Sequence, residues 1–296
     1  MDCTENCAES SSTDPLRLDT PARGVFVEPM DYADHPRPRF FAHRGGSLEA
    51  PENTLEAFRH GIAAGADHLE LDVHASSDGT IVVFHDATLE RTTNGKGEVR
   101  AHTFAELREL DAGYQFVDEK GEHSFRGNGL QIPTLVEVCR EFEEIPLNME
   151  IKQDDPDIVK AVFDVLQAEG ALGRSLVAAE HGSLMNRIRQ QGEGVLFGYA
   201  TEDVVTFLEA MEAGTLADYT PVGFALQIPS SFMGTPLVTR ELVAAAHGKG
   251  LEVHVWTVDD RDEMEALLAL GVDGLMTDRP TLLAEVLSMW DGPPAG

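Results

Sequence analysis

The sequence predicts a (β/α)8 barrel, and three observations predict it. From Phe40 onward, short apolar runs of strand length alternate with amphipathic helical segments. The alternation yields eight candidate strands, the number a closed parallel barrel needs. Ionisable residues gather at the ends of these runs, as His43 and Arg44 do after Phe40–Ala42 and His85 and Asp86 do after Ile81–Phe84. The C-terminal ends of parallel barrel strands are where such a fold builds its active site.

The strands are expected at Phe40–His43, His68–Val73, Leu147–Ile151, Leu176–Ala179, Leu196–Ala200, Phe224–Ile228, Glu252–Thr257 and Gly274–Thr277. Helical periodicity falls between them, at Thr54–Ala64, Pro156–Glu169, Ser183–Gln191, Glu202–Ala213, Arg240–Gly248, Asp260–Leu270 and Thr281–Met289. Asn53-x-x-Glu56 reads as a capping box opening the first helix, with Pro51 just ahead. Ile81–Phe84 is left over. It follows the second strand after only Ser76–Thr80, too short for a parallel crossover, so it must return as an antiparallel arm through the Asp78-Gly79 turn. Such an arm brings His85 back beside Glu70 and Asp72. The glycine-rich stretch 112–133 is a long inserted loop, placed to fold over the site and to lend it Phe125 or Arg126.

Composition narrows the classes. With 296 residues, 42% of them hydrophobic, the chain can bury a barrel-sized core, expected over 39–290. Residues 1–38 carry five prolines without periodicity and read as a flexible or loosely wrapped tail. Their acidic, polar start has neither the basic end nor the apolar stretch of a signal peptide, and no apolar run approaches the ~18 residues of a membrane span. Cys3 and Cys7 lie in the tail and Cys139 in an apolar helical stretch, which suits a reduced, cytoplasmic protein. A net charge of −30 opposes binding to nucleic acid or to anionic lipid, so any phosphate site must be made positive locally.

Several blocks occur in one order: AHRG at Ala42–Gly45, PENTLEAF at Pro51–Phe58, ELDV at Glu70–Val73, HD at 85–86, NMEIK at Asn148–Lys152 and VHVWTV at Val253–Val258. In this order they resemble the glycerophosphodiester phosphodiesterase family of phospholipase C-like barrels, over roughly Phe40 to Leu287. The resemblance implies hydrolysis of a small glycerophosphodiester to glycerol 3-phosphate and an alcohol, with one divalent metal, Mg²⁺ or Ca²⁺.

The residues support that chemistry on their own terms. Glu70 and Asp72 lie two apart and share one strand face, with Glu150 at the matching place on the next strand. Three carboxylates repel one another unless a hard cation joins them, and the family resemblance supports these positions as the metal ligands. A solvated strand edge is the competing account of a lone Glu-x-Asp pair. Hydrolysis needs one group to take a proton and one to give it, and histidine does both near neutral pH; the family's catalytic pair falls on His43 and His85. Arg44 and Lys152 supply positive charge for phosphate, against the alternative of ordinary salt bridges. Trp256 resembles the family's tryptophan and is placed to pack on the carbon skeleton of a bound glycerol or alcohol, with a plain core tryptophan as the competing account. His74 and Asp259 stand where many members carry glutamine and asparagine. Two other readings remain: lysophospholipase D-type hydrolysis of single-chain lipids, with Ile228–Val238 receiving the acyl chain, and an inactive barrel acting as a binding protein.

Overall fold

A computed structural model describes Met1 and residues 31–292. Eight strands run parallel around a nearly closed barrel: β1 (Arg39–Ala42), β2 (His68–Ala75), β4 (Leu147–Ile151), β5 (Ser175–Ala178), β6 (Leu196–Phe197), β7 (Ala225–Pro229), β10 (Glu252–Trp256) and β11 (Gly274–Thr277). Ladders join them in the order β6-β5-β4-β2-β1-β11-β10-β7, and one parallel bridge, Gly198 to Ala225, spans the remaining seam. The antiparallel arm is β3 (Ile81–Val83), which pairs Val73 with Val83 and Ala75 with Ile81. A second small hairpin, β8 (Ser231–Phe232) with β9 (Thr235–Pro236), was not legible in the apolar run 228–238.

Helices α1 (Leu55–Ala64), α4 (Val159–Ala168), α5 (Gly182–Gln191), α6 (Thr201–Glu212), α7 (Arg240–His247), α8 (Arg261–Leu270) and α9 (Pro280–Ser288) fall where periodicity places them. Two shorter ones, α2 (Phe104–Arg108) and α3 (Leu135–Glu141), precede β4, each opened by a threonine capping box, Thr103 with Glu106 and Thr134 with Glu137. The main core lies between strands and helices, where Leu69, Leu71, Leu147 and Met149 are fully buried. No helix among the described residues is long and apolar enough to cross a membrane.

Three expectations change. Asn53 does not cap α1: the cap is Thr54, whose hydroxyl accepts from the Ala57 amide, and Asn53 turns inward with φ of 56°. Residues 31–38, read as the end of a tail, fold against the barrel. There the fully buried Tyr32 packs edge-on against His68 and Phe224, and its hydroxyl donates to Asn148 Oδ1 at 3.1 Å. Cys3, Cys7 and residues 2–30 lie outside the described residues. The loop 112–133 folds on itself: Phe125 stacks edge-on against Phe116 at 5.2 Å, and Arg126 lies over Tyr114.

Candidate active site

The barrel mouth opens into a cavity of about 540 Å³. Each charged group on its polar wall is placed by a local feature of the chain. After β1 the backbone turns sharply through Arg44, Gly45 and Gly46, all at positive φ. A side chain at Gly45 would meet Ala57 at 2.6 Å, so only glycine lets this turn pack on α1. The turn aims the Arg44 amide into the barrel, where it donates to Glu70 Oε2 at 2.9 Å.

Glu70 and Asp72 share the inner face of β2, and the ladder sets Asp72 directly beside Glu150 of β4. Asp72 is enclosed by donors: Asn53 Nδ2 at 3.0 Å, Arg44 Nε at 3.3 Å and Lys152 Nζ at 3.4 Å. Burial alone would push its carboxyl up, but Lys152 and Arg44 outweigh burial and hold it below the usual range. Glu70 differs. Burial and the neighbouring Asp72 push its carboxyl up to about 7, outweighing His43, whose Nε2 stands 3.8 Å from Oε2. Glu150 is also pushed up by burial, although Lys152 Nζ stands 2.7 Å from its Oε2.

The two histidines are mounted alike. Nδ1 of His43 pairs with Asp278 Oδ1 at 2.7 Å, and Asp278 is itself held by Asp259, which accepts from its amide at 2.7 Å. Burial would lower the His43 imidazole, but Glu70 and Asp278 raise it to about 8. Nδ1 of His85 pairs with Asp86 Oδ1 at 2.6 Å. Arg91 then joins Asp86 to Glu52, and Glu52 accepts from Arg44. Despite partial burial, Arg91 and His85 hold Asp86 at about 2. Each imidazole therefore turns Nε2 to the cavity, with a carboxylate fixing its ring from behind.

His43, Arg44, Glu70, Asp72, His85, Glu150, Lys152 and Trp256 all line this one cavity, so the expected ligand, proton-transfer, phosphate and alcohol-side residues meet there. Among the described residues, none of 112–133 lines it, which overturns the placement of Phe125 and Arg126 over the site. That loop pairs Glu119 with Arg279, the residue after Asp278, at 3.2 Å. Sequence reasoning missed Asp278, Asn53, Glu52 and Arg91. Asp278 had a usable signal, as an acid following the last strand. Glu52 and Asn53 were hidden by the capping pattern they overlap.

The donor set fits a hard divalent cation in its chemistry: three carboxylates on adjacent strands, one of them, Glu70, with His43 Nε2 at 3.8 Å as its facing charge. Among the described residues, however, no three His, Cys, Asp or Glu side chains are grouped closely enough to hold an ion as they stand. Lys152 occupies the gap between Asp72 and Glu150, and Arg44 the other side of Asp72. Both cations thus sit in the site and in salt bridges at once. The opposite wall is aliphatic and aromatic, made by Val204, Val205 and Leu208 of α6 with Phe232 and Leu237.

Residues 43–282 match the glycerophosphoryl diester phosphodiesterase family. A glycerophosphodiester phosphodiesterase of Caldanaerobacter subterraneus subsp. tengcongensis is 32% identical over 255 residues, covering 83% of this chain and 96% of the relative. The protein named lysophospholipase D GDPD1 of Mus musculus is 27% identical over 276 residues, covering 84% and 86%. A solved Oleispira antarctica phosphodiesterase in complex with the product sn-glycerol-3-phosphate superposes with a TM-score of 0.67 at 26% identity, covering 85% of this chain and 97% of that one.

Proposed function

The chain belongs to the glycerophosphoryl diester phosphodiesterase family and is a phosphoric diester hydrolase, and from that premise we propose that it cleaves glycerophosphodiesters to glycerol 3-phosphate and an alcohol with one divalent cation. The observation that carries the reading is the pairing of two carboxylate-backed histidines, His43 with Asp278 and His85 with Asp86, around a buried group of acids at one barrel mouth. Nothing in a purely binding role requires two imidazoles oriented this way.

Glu70, Asp72 and Glu150 would hold the cation, Mg²⁺ or Ca²⁺, which supplies positive charge to phosphoryl oxygens when bound. Arg44 and Lys152 add fixed positive charge on the same wall. His43 and His85 move protons at Nε2: one accepts from the attacking hydroxyl, the other donates to the departing alkoxide. The attacking hydroxyl is either water or the substrate's own glycerol hydroxyl. Trp256 lines the cavity and offers its ring to the carbon skeleton. A cytoplasmic setting belongs to the same reading.

A second substrate class is favoured by one observation, the apolar wall of α6, Phe232 and Leu237, which a small polar diester does not use. A single-chain glycerophospholipid would place its acyl chain there, in keeping with the activity named for the mouse relative. Incubation with glycerophosphocholine and with lysophosphatidylcholine, each with and without divalent ion, tests both. The expected products are choline with glycerol 3-phosphate or its acyl ester. Release of phosphocholine, or no turnover with any divalent ion, would overturn the assignment.

A further inference from the structure

Large apolar side chains left in water around a cavity mouth call for a partner. Phe232 is 66% exposed, Met233 91%, Val205 47% and Trp256 43%. Phe232, Val205 and Trp256 line the cavity, and Met233 follows Phe232 at the tip of the β8–β9 hairpin. Met233 and Gly234, at φ of 49° and 79°, form the tight turn that raises this tip. The ladder beneath it is two residue pairs long, Ser231 with Pro236 and Phe232 with Thr235. The whole segment 229–238 carries no charged residue, in a chain that is 25% charged.

We propose that this rim docks on a lipid surface of zero net charge, with Phe232 and Met233 entering the layer while the cavity faces it. The proposal rests on the single-chain-lipid reading of the site, since a water-soluble diester gives no reason to approach a lipid layer. Charge selects the surface. A protein of net charge −30 is repelled by anionic headgroups, whereas phosphocholine presents its ammonium outermost and is neutral in sum. Size selects lipid over a folded partner. Four side chains fall well short of the roughly 800 Å² per partner that a specific protein interface buries, but insertion of a few apolar groups is how peripheral proteins sit on membranes.

Sedimentation with sucrose-loaded phosphatidylcholine vesicles, with and without added phosphatidylserine, tests the proposal. The wild type should sediment with phosphatidylcholine and bind less as phosphatidylserine is added. The double variant Phe232→Ser/Met233→Ser should lose partition at least about tenfold. A readout that needs no variant is quenching of tryptophan fluorescence by brominated phosphatidylcholine, expected because Trp256 sits on the rim. Three results overturn the docking: no sedimentation with phosphatidylcholine, equal partition of the variant, or tighter binding on phosphatidylserine. A dimeric wild type and monomeric variant, neither binding vesicles, would make the rim a contact between copies and overturn it too. Turnover of glycerophosphocholine and submicellar lysophosphatidylcholine by the same sample separates the layers. Turnover without vesicle binding removes docking alone, and no turnover of either removes the reading beneath it and the docking with it.

Discussion

The two ends of this barrel both bury charge, and they treat it in opposite ways. Below the strands, Arg39 grips Glu252 through two hydrogen bonds of 2.7 and 2.8 Å, and His254 adds a third at 2.9 Å. The remaining guanidinium donors go to the carbonyls of Tyr32, Ala33 and His35. Burial alone would raise Glu252, yet Arg39 and His254 hold it at about 2. At the mouth, Glu70, Asp72 and Glu150 outnumber Arg44 and Lys152, and Glu70, with His43 Nε2 no nearer than 3.8 Å, is pushed up to about 7. Matched charge stabilises, and unmatched charge is what a ligand can complete. The lower end is structure and the upper end is chemistry.

The largest expected effect breaks the comparison on the catalytic side. His43→Ala or His85→Ala should each lower kcat by roughly 10²–10⁴-fold while melting temperature changes little. Near-normal kcat on a diester with a poor alcohol leaving group would strip that histidine of its role. Stability should show the reverse pattern. Glu252→Gln leaves the buried Arg39 guanidinium without its counter-charge and should cost about 3–5 kcal/mol in urea unfolding at neutral pH. Its pH dependence has a definite sign. Because folding lowers the Glu252 pKa from about 4.5 to about 2, its contribution is full above about pH 4.5 and is lost as pH falls toward 2. The gap between wild type and variant should therefore close over that window, and a gap constant down to pH 2 would contradict the assignment.

Glu70 should behave in the opposite sense and by less. Its carboxyl is raised by folding, so the metal-free protein should lose stability as pH climbs from about 4.5 through about 7. Glu70→Gln removes that penalty, and above pH 7 it should stabilise the metal-free protein by roughly 1–3 kcal/mol. Destabilisation by the same substitution would mean that His43, 3.8 Å away, already offsets the Glu70 charge.

The sequence carried the wall of the site better than its supports. His43, Glu70, Asp72, His85, Glu150 and Lys152 were legible because strand period and strand ends fix which face a residue takes. The antiparallel arm was legible because Ser76–Thr80 is too short for any other return. Asn53 was misread because a cap and an amide that holds a buried carboxylate share one local pattern, and only the chain path separates them. The hold of Asp278 on His43 spans 235 residues of sequence and depends on β1 and β11 closing side by side. The loop 112–133 was misplaced because length and glycine content give no direction, and its own aromatic pairs, Phe116 with Phe125 and Tyr114 with Arg126, draw it away from the mouth.

The most direct test of unmatched charge above and matched charge below is a melting curve of metal-free protein near pH 8, with and without Mg²⁺ or Ca²⁺. At about a hundredfold excess over Kd, wild type should gain roughly 5–10 °C, because only the folded mouth assembles the three carboxylates. Glu252→Gln should start lower and gain the same increment, since its charge lies at the other end of the barrel. Glu70→Gln should gain little or nothing. An equal rise in Glu70→Gln and wild type, or no rise in wild type with either ion, would contradict the account.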